Sequence, residues 1–253
     1  MRRKLTFTII ILATFILLVA CNNNDDTETT DASQTESENV IDGEDLEQLE
    51  PDLDNIPEIV AEVNGKEITR AMFERTYLSQ FEQAMQNAQI TGGVTQESID
   101  KQVIAENMID LELLMQEAER RNFEATDQEV DAYLLEIAET NQFESVDLLL
   151  ETYEEQGLTE VQIREEVASD IKLNHLFEDE TKGVTASDQQ IEELYDEFLI
   201  MYEELDEIED DEIPSIDDLR SDLEELVLFN EENELILNLI DKLKNDAKID
   251  IYL

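Results

Sequence analysis

Apolar residues recur at helical spacing along most of the chain after residue 58. The first such stripe comprises Phe73, Tyr77, Phe81 and Met85, which follow one another every four residues and therefore share one face of a helix. Thr69, just before this stripe, offers a hydroxyl that can cap the helix. A stripe of this kind predicts first of all a set of core side chains.

Further stripes predict more helices, the next of them over about residues 96–121. Its stripe consists of Ile99, Val103, Met108, Leu111, Met115 and Ala118. Thr126, Thr159 and Ser187 each stand three positions before a Glu or Gln, which is the spacing of a capping box and predicts a helix start. The helix after Ser187 is expected to point Ile191, Tyr195, Phe198 and Tyr202 inward. The last helix is expected over about 216–245.

Two short segments alternate apolar and polar residues as strands do. Residues 60–63 lead into Asn64-Gly65, the dipeptide preferred in a two-residue type I′ turn, and residues 66–68 return as a second strand. Residues 248–252 also alternate, but no strand follows them. Because an isolated terminal strand is unstable, we expect it to join the hairpin. The expected fold is mainly α, with a small β-sheet formed by the N-terminal hairpin and the C-terminal strand.

This pairing would make the folded part of the chain discontinuous. Residues 59–90 and 215–253 would form a base, and residues 95–205 a helical insertion. The folded domain as a whole is expected over residues 58–253, which is long enough for one hydrophobic core or two small ones.

The start of the chain has the layout of a secretory signal, with three basic residues at positions 2–4 and an apolar run of 16 residues that ends at Ala20. The run is shorter than the roughly 20 residues of a membrane-spanning helix. Residues 18–21, Leu-Val-Ala-Cys, resemble the bacterial lipobox. The resemblance implies cleavage between Ala20 and Cys21, removal of residues 1–20 and a lipid on Cys21, the single cysteine. The alternative is a plain secretory signal with an incidental cysteine.

Acidic residues outnumber basic ones by 67 to 16, which gives a formal net charge of −51. Nucleic acid is excluded as a partner, because its phosphates require a basic surface. Anionic lipid headgroups repel the chain, so the acyl chains on Cys21 must anchor it to the membrane. Residues 21–57 contain 13 acids and no Lys or Arg, and are expected to be a disordered linker. Because salt screens repulsion between like charges, we expect salt to stabilise the fold.

Candidate catalytic chemistry is sparse. His175, the single histidine, is the only candidate for a general base, and it continues the stripe of Ile163 and Ile171 as a packed or partly exposed helix residue. The sequence has no His and Cys cluster for zinc and no Gly-rich loop for a phosphate. The acids of residues 206–212 lack the EF-hand spacing for Ca²⁺, so a solvated loop is expected. We therefore expect no cofactor and no metal.

Several segments resemble the SurA/PrsA/trigger-factor group of extracytoplasmic chaperones and foldases. Residues 60–73 read Val-Ala-Glu-Val-Asn-Gly-Lys-Glu-Ile-Thr-Arg-x-x-Phe, which resembles the start of the SurA N-terminal domain. Residues 126–130, 184–191 and 247–251 resemble later segments of the group. The resemblance implies a clasp-shaped helical chaperone that binds unfolded or nascent secreted proteins and is tethered to the extracytoplasmic face of the membrane by its lipid.

Many members of this group also contain a parvulin prolyl isomerase domain, which would fall between about Tyr202 and Ile216. Only about a dozen residues lie there, and parvulin sites use paired histidines, so enzyme activity is not expected. Two alternatives remain open: a peptidyl-prolyl isomerase, and a scaffold lipoprotein with one specific partner. The sequence does not define an oligomeric state.

A client-binding chaperone needs exposed apolar surface, and Met and aromatic side chains tolerate varied partners. Seven side chains of the predicted stripes are therefore candidates for a client groove as well as for the core: Phe73, Tyr77, Phe81, Met85, Tyr195, Phe198 and Tyr202. For any one of them the core is the more frequent role.

Overall fold

The computed structural model describes residues 40–42, 49–91, 93–95, 97–155, 157–203 and 213–253. The chain divides into two compact units. Unit 1 extends to Leu113 and includes the C-terminal residues Ala247–Leu253, and unit 2 is Leu114–Asp246. The last long helix therefore groups with the preceding helices and not with the sheet. No helix in the described part of the chain has the length and apolar character needed to cross a membrane.

Unit 1 contains the five strands of the described residues, namely β1 (Val40–Asp42), β2 (Ile59–Val63), β3 (Lys66–Thr69), β4 (Gly93–Thr95) and β5 (Ile249–Ile251). β2 is the centre of an antiparallel sheet in the order β3-β2-β5, and β1 pairs with β4. Asn64 and Gly65 both have positive φ, 53° and 89°, as a type I′ turn requires. The predicted hairpin and its pairing with the C-terminal strand are confirmed.

The disordered linker predicted over residues 21–57 needs a correction, because part of this range is ordered. β1 lies inside it, and Ile56 is only 1% exposed. The backbone N–H of Asp52 donates to the hydroxyl of Tyr77 at 3.2 Å. Leu49 packs against the cluster that contains Phe81, and Ile56 is buried, so this acidic stretch has apolar contacts that stabilise it in the fold. The predicted leader, with Ala20 and Cys21, lies outside the described residues.

Seven α-helices form most of the described structure: α1 (Arg70–Thr91), α2 (Lys101–Arg120), α3 (Asp127–Thr140), α4 (Val146–Glu155), α5 (Glu160–Glu180), α6 (Asp188–Glu203) and α7 (Ile216–Asp246). A short 3-10 turn at Glu97–Ile99 precedes α2. The fold class is mainly α with a small antiparallel sheet, as the sequence predicts.

The helix starts predicted at Thr126, Thr159 and Ser187 are confirmed by their caps. Thr126 and Thr159 each form a complete capping box with the residue three positions later. The hydroxyl of Ser187 accepts from the N–H of Gln190 at 3.3 Å. Beyond the end of α2, Asn122 adopts a left-handed conformation with φ of 59°.

Helix α2 differs from its prediction in its start and in its buried face. Asp100 caps it by accepting the N–H of Gln102 at 2.7 Å, so the helix begins at Lys101 and not near residue 96. Leu111 of the predicted stripe is 43% exposed. The buried side chains are Ile104, Ala105, Ile109, Leu113, Leu114, Glu117 and Ala118. Because apolar residues lie on several sides of α2, their spacing does not define its inward face.

The described residues of unit 2 include three clusters of buried side chains. One lies between α3, α4 and α5, and a second joins α2 and α5 to the C-terminal half of α7. The third joins α6 to the N-terminal half of α7. Helix α7 therefore packs against different helices along its two halves.

Candidate functional site

The aromatic stripe of α1 lies in the core of unit 1. Phe73, Tyr77 and Phe81 are only 0%, 3% and 6% exposed. Their ring centroids follow one another at 5.9 and 6.4 Å. Met85 is half-buried against the cluster that contains Phe81. In this conformation the three rings are packed side chains and cannot line a groove, which requires exposed surface.

Tyr195 and Phe198 are half-buried on α6, and their rings are stacked with centroids 6.1 Å apart. The hydroxyl of Tyr195 donates to the carbonyl oxygen of Pro214 at 3.0 Å. Tyr195 also packs against the cluster between α6 and α7, so its apolar body and polar tip both have partners in the fold. The side chain of Tyr202 lies outside the described part of the structure. A client-binding role for Met85, Tyr195 and Phe198 stays a prediction.

Helix α7 has an apolar face that is left exposed. Leu226, Phe229 and Leu237 are 44%, 55% and 40% exposed. At about 100° per residue the three side chains fall within a sector of about 80° on the helix. With a rise of about 1.5 Å per residue they extend over roughly 16 Å. These three residues are called the α7 face below.

This face is exposed because the two halves of α7 are buried on different sides. Leu223 and Val227 pack towards α6, whereas Ile236 and Ile240 pack in the cluster with α2 and α5. At about 100° per residue, Phe229 lies on the same side as Ile236 and Ile240. It continues their apolar side about two turns towards the helix start, where that side is exposed to solvent.

Sequence reasoning missed the α7 face, although the chain contains a signal for it. Leu226-Val227-Leu228-Phe229 is a run of four apolar residues inside a helix. Four consecutive residues point to all sides of a helix, so one neighbouring element cannot cover them all. A run of this kind indicates either burial on every side or an apolar surface left for a partner.

Carboxylates surround the α7 face. Residues 221–241 contain seven acids and no Lys or Arg. Glu232 is half-buried, and burial raises the pKa of its carboxyl. Arg220, just before this stretch, is bound to Asp188 with a nitrogen–oxygen distance of 2.7 Å. The exposed carboxylates are Asp222, Glu224, Glu225, Glu234 and Asp241. The α7 face is therefore an apolar surface in a strongly negative potential.

The second candidate is an open depression of about 250 Å³ between α3 and α5, lined in part by His175, Glu129 and Tyr133. Nε2 of His175 lies 3.3 Å from a carboxylate oxygen of Glu129. The same carboxylate accepts the hydroxyl of Thr126 in the cap of α3. His175 is thus a partly exposed helix residue, as the sequence predicts, and it lies beside a capping carboxylate.

Asp170 lies on α5 in the same region and is the most perturbed acid of the described residues. Burial, followed by the negative charge of Glu166 one turn earlier, raises the pKa of Asp170 to about 7. Burial and the charge of Asp170 also raise the pKa of Tyr133 on α3. Ionisation of Asp170 near neutral pH therefore places a charge at a helix–helix contact.

Metal binding finds no support in the described residues. Among them, no three His, Cys, Asp or Glu side chains are arranged so that they could hold a metal ion. The acidic residues 206–212, which the sequence predicts as a solvated loop, lie outside the part of the chain that is described.

The fold defines the class of this protein. It is mainly helical, and its β2-β3 hairpin pairs with the C-terminal strand β5. Residues 1–177 match the SurA-like N-terminal domain family, and this match covers more than half of the chain. The chain therefore belongs to the SurA-like N-terminal domain family. No curated protein shows significant sequence similarity to it.

A solved structure from Campylobacter jejuni is similar to this chain. It comes from a study of the virulence factor PEB4 and the periplasmic protein Cj1289, described as two structurally related SurA-like chaperones. The TM-score is 0.50 at 11% sequence identity, and the alignment covers 78% of this chain and 99% of the other. At this identity the similarity shows the shared fold alone.

Proposed function

We propose that this protein is a membrane-tethered extracytoplasmic chaperone that holds unfolded secreted polypeptides on the α7 face. The observation that carries the proposal is the exposed pair Leu226 and Phe229 in a SurA-like chain. Adjacent exposed apolar side chains on a soluble surface favour association with other apolar chains. An unfolded client offers such side chains in many sequences, and a helix face without a deep pocket does not require one particular sequence.

The leader supports a location outside the cytoplasm. The basic start, the apolar run and the lipobox-like residues 18–21 favour export, cleavage after Ala20 and a lipid on Cys21. The acidic residues between Cys21 and β1 would then act as a spacer from the membrane. Cj1289, which the structural comparison describes as a periplasmic SurA-like chaperone, is consistent with this location.

Prolyl isomerisation is not part of the proposal. The interval between Tyr202 and Ile216 is too short for a parvulin domain, and His175 is the single histidine of the chain. A catalytic amount of the protein should therefore leave the rate of a proline-limited refolding reaction unchanged. A several-fold acceleration would favour the isomerase alternative.

The proposed activity is tested by the aggregation of a chemically unfolded secreted protein, followed by light scattering. The mature chain, residues 21–253 with Cys21→Ser, should suppress aggregation at near-stoichiometric ratio, beyond an equally acidic unrelated protein. Leu226→Ser combined with Phe229→Ser should weaken the suppression several-fold.

The matched control is Leu135→Ser combined with Leu148→Ser, which removes two side chains of unit 2 that are 49% and 41% exposed. This control should act like the parent chain. Equal suppression by all three proteins would contradict the assignment of the client site to α7. No suppression by the parent would contradict a general chaperone and favour one dedicated partner, which a pull-down would recover in a fixed ratio.

A further inference from the structure

Three carboxylates border the α7 face at helical spacing. Asp222 stands four residues before Leu226, and Glu225 stands four residues before Phe229. Residues four apart are neighbours on a helix, about 6 Å from each other, so each acid lies beside the apolar side chain that follows it. Glu232 lies one turn after Phe229, between Phe229 and Leu237 along the helix.

These three acids differ in their surroundings. Asp222 and Glu225 are exposed, whereas Glu232 is half-buried and burial raises the pKa of its carboxyl. A cation that approaches Glu232 enters a less polar environment, where opposite charges attract more strongly than in water. The α7 face and its bordering acids thus offer apolar contact and cation binding within about three turns of one helix.

We propose that the α7 face selects polypeptide segments in which apolar residues are flanked by Lys or Arg. The apolar residues contact Leu226 and Phe229, and the flanking cations pair with Asp222, Glu225 and Glu232. The inference rests on the proposed chaperone function, since it names the class of client that this surface prefers.

Charge complementarity favours this occupant over the others that an apolar helix face attracts. A second copy of the chain would bring the same carboxylates against each other across a symmetric interface. An anionic lipid surface would meet the same repulsion. A neutral apolar segment gains the contact with Leu226 and Phe229 but no ion pair. A segment flanked by cations gains both.

The experiment measures the binding of two labelled peptides to the mature chain with Cys21→Ser by fluorescence anisotropy. Both peptides share one Leu- and Phe-containing core, with Lys residues at the ends of one and Ser residues at the ends of the other. At low salt the Lys-flanked peptide should bind about tenfold more tightly, because exposed ion pairs contribute modestly and two or three add up. Molar salt should remove most of this difference.

Three variants locate the effect. Asp222→Asn combined with Glu225→Gln should lower the affinity for the Lys-flanked peptide about three- to tenfold and leave the Ser-flanked peptide unchanged. Glu151→Gln combined with Glu154→Gln removes the same charge from exposed positions on α4 and should change neither affinity. Phe229→Ser should lower the affinity for both peptides to a similar extent.

Each contrary result has a separate meaning. Equal binding of the two peptides would overturn charge selection and leave the proposed chaperone function standing. An equal loss in the α7 and α4 acid variants would overturn the role of Asp222 and Glu225, because the preference would then come from the net charge. If neither peptide binds, the proposed function itself fails.

Discussion

Helices α1 and α7 both carry large apolar side chains at helical spacing, but the chain uses them differently. Phe73 of α1 is completely buried, whereas Phe229 of α7 is 55% exposed. In α1 the apolar residues follow one stripe, and the core of unit 1 covers it. In α7 the apolar residues lie on two sides, and different helices cover each side along part of the length. An apolar stripe therefore predicts an interface but not its occupant.

The largest expected effect tests this difference directly. Phe73→Ala should lower the free energy of unfolding by about 3–5 kcal/mol, because it leaves a cavity in a close-packed core. Phe229→Ala should change it by less than about 0.5 kcal/mol, because the ring is mostly in water. Chemical denaturation followed by circular dichroism measures both. Equal losses would mean that Phe229 is a core residue and would contradict the existence of an open α7 face.

The next expected effect concerns Asp170, an acid at a helix–helix contact, in contrast to the exposed acids beside the α7 face. The pKa of Asp170 is raised to about 7, above the ordinary value of 3.8 that we expect in the unfolded chain. Between these values the folded chain retains a proton that the unfolded chain releases, so the free energy of unfolding falls as pH rises from about 4 to 7.

Asp170→Asn removes this contribution. It should stabilise the protein by about 1–3 kcal/mol at pH 8 and have little effect at pH 4. Glu225→Gln on the open face is the control, and its effect should be small at both pH values. Denaturation midpoints of the parent chain and the two variants at pH 4 and pH 8 test this prediction. A destabilising effect of Asp170→Asn at pH 8 would show that the ionised carboxylate has a favourable partner.

The smallest expected effect concerns the charge of the whole surface. The net charge of −51 makes the folded state repel itself, and salt screens this repulsion. Molar NaCl should therefore stabilise the protein by about 1 kcal/mol relative to low salt. Thermal unfolding in the two buffers measures the effect. Identical melting temperatures would show that the carboxylates are too far apart, or too well solvated, to oppose folding.

The sequence was most informative where a local interaction decides the structure. Asn64-Gly65 predicts its turn because both residues tolerate positive φ, and Thr126 predicts a helix start because a hydroxyl and a Glu three positions later satisfy backbone groups of the first turn. The C-terminal strand could be placed as well, because the hairpin was the only expected partner for it.

Long-range packing was harder to predict. Spacing did not reveal the buried face of α2, which has apolar residues on several sides, and Leu111 is exposed as a result. The burial of Ile56 depends on residues far along the chain, so the acidic composition around it favoured disorder. The aromatic residues of α1 were easy to find as a stripe, but their burial, and the exposure of Phe229, depend on which helices pack nearby.

Site-specific photo-cross-linking shows directly whether an unfolded client contacts the α7 face. A benzophenone side chain placed at position 229, where it resembles Phe229, should cross-link to an unfolded secreted client. An excess of the Lys-flanked peptide should reduce this cross-linking. The same group at position 135, which is also exposed, should cross-link weakly. Equal or stronger cross-linking at position 135 would contradict the account of the α7 face as the client-binding surface.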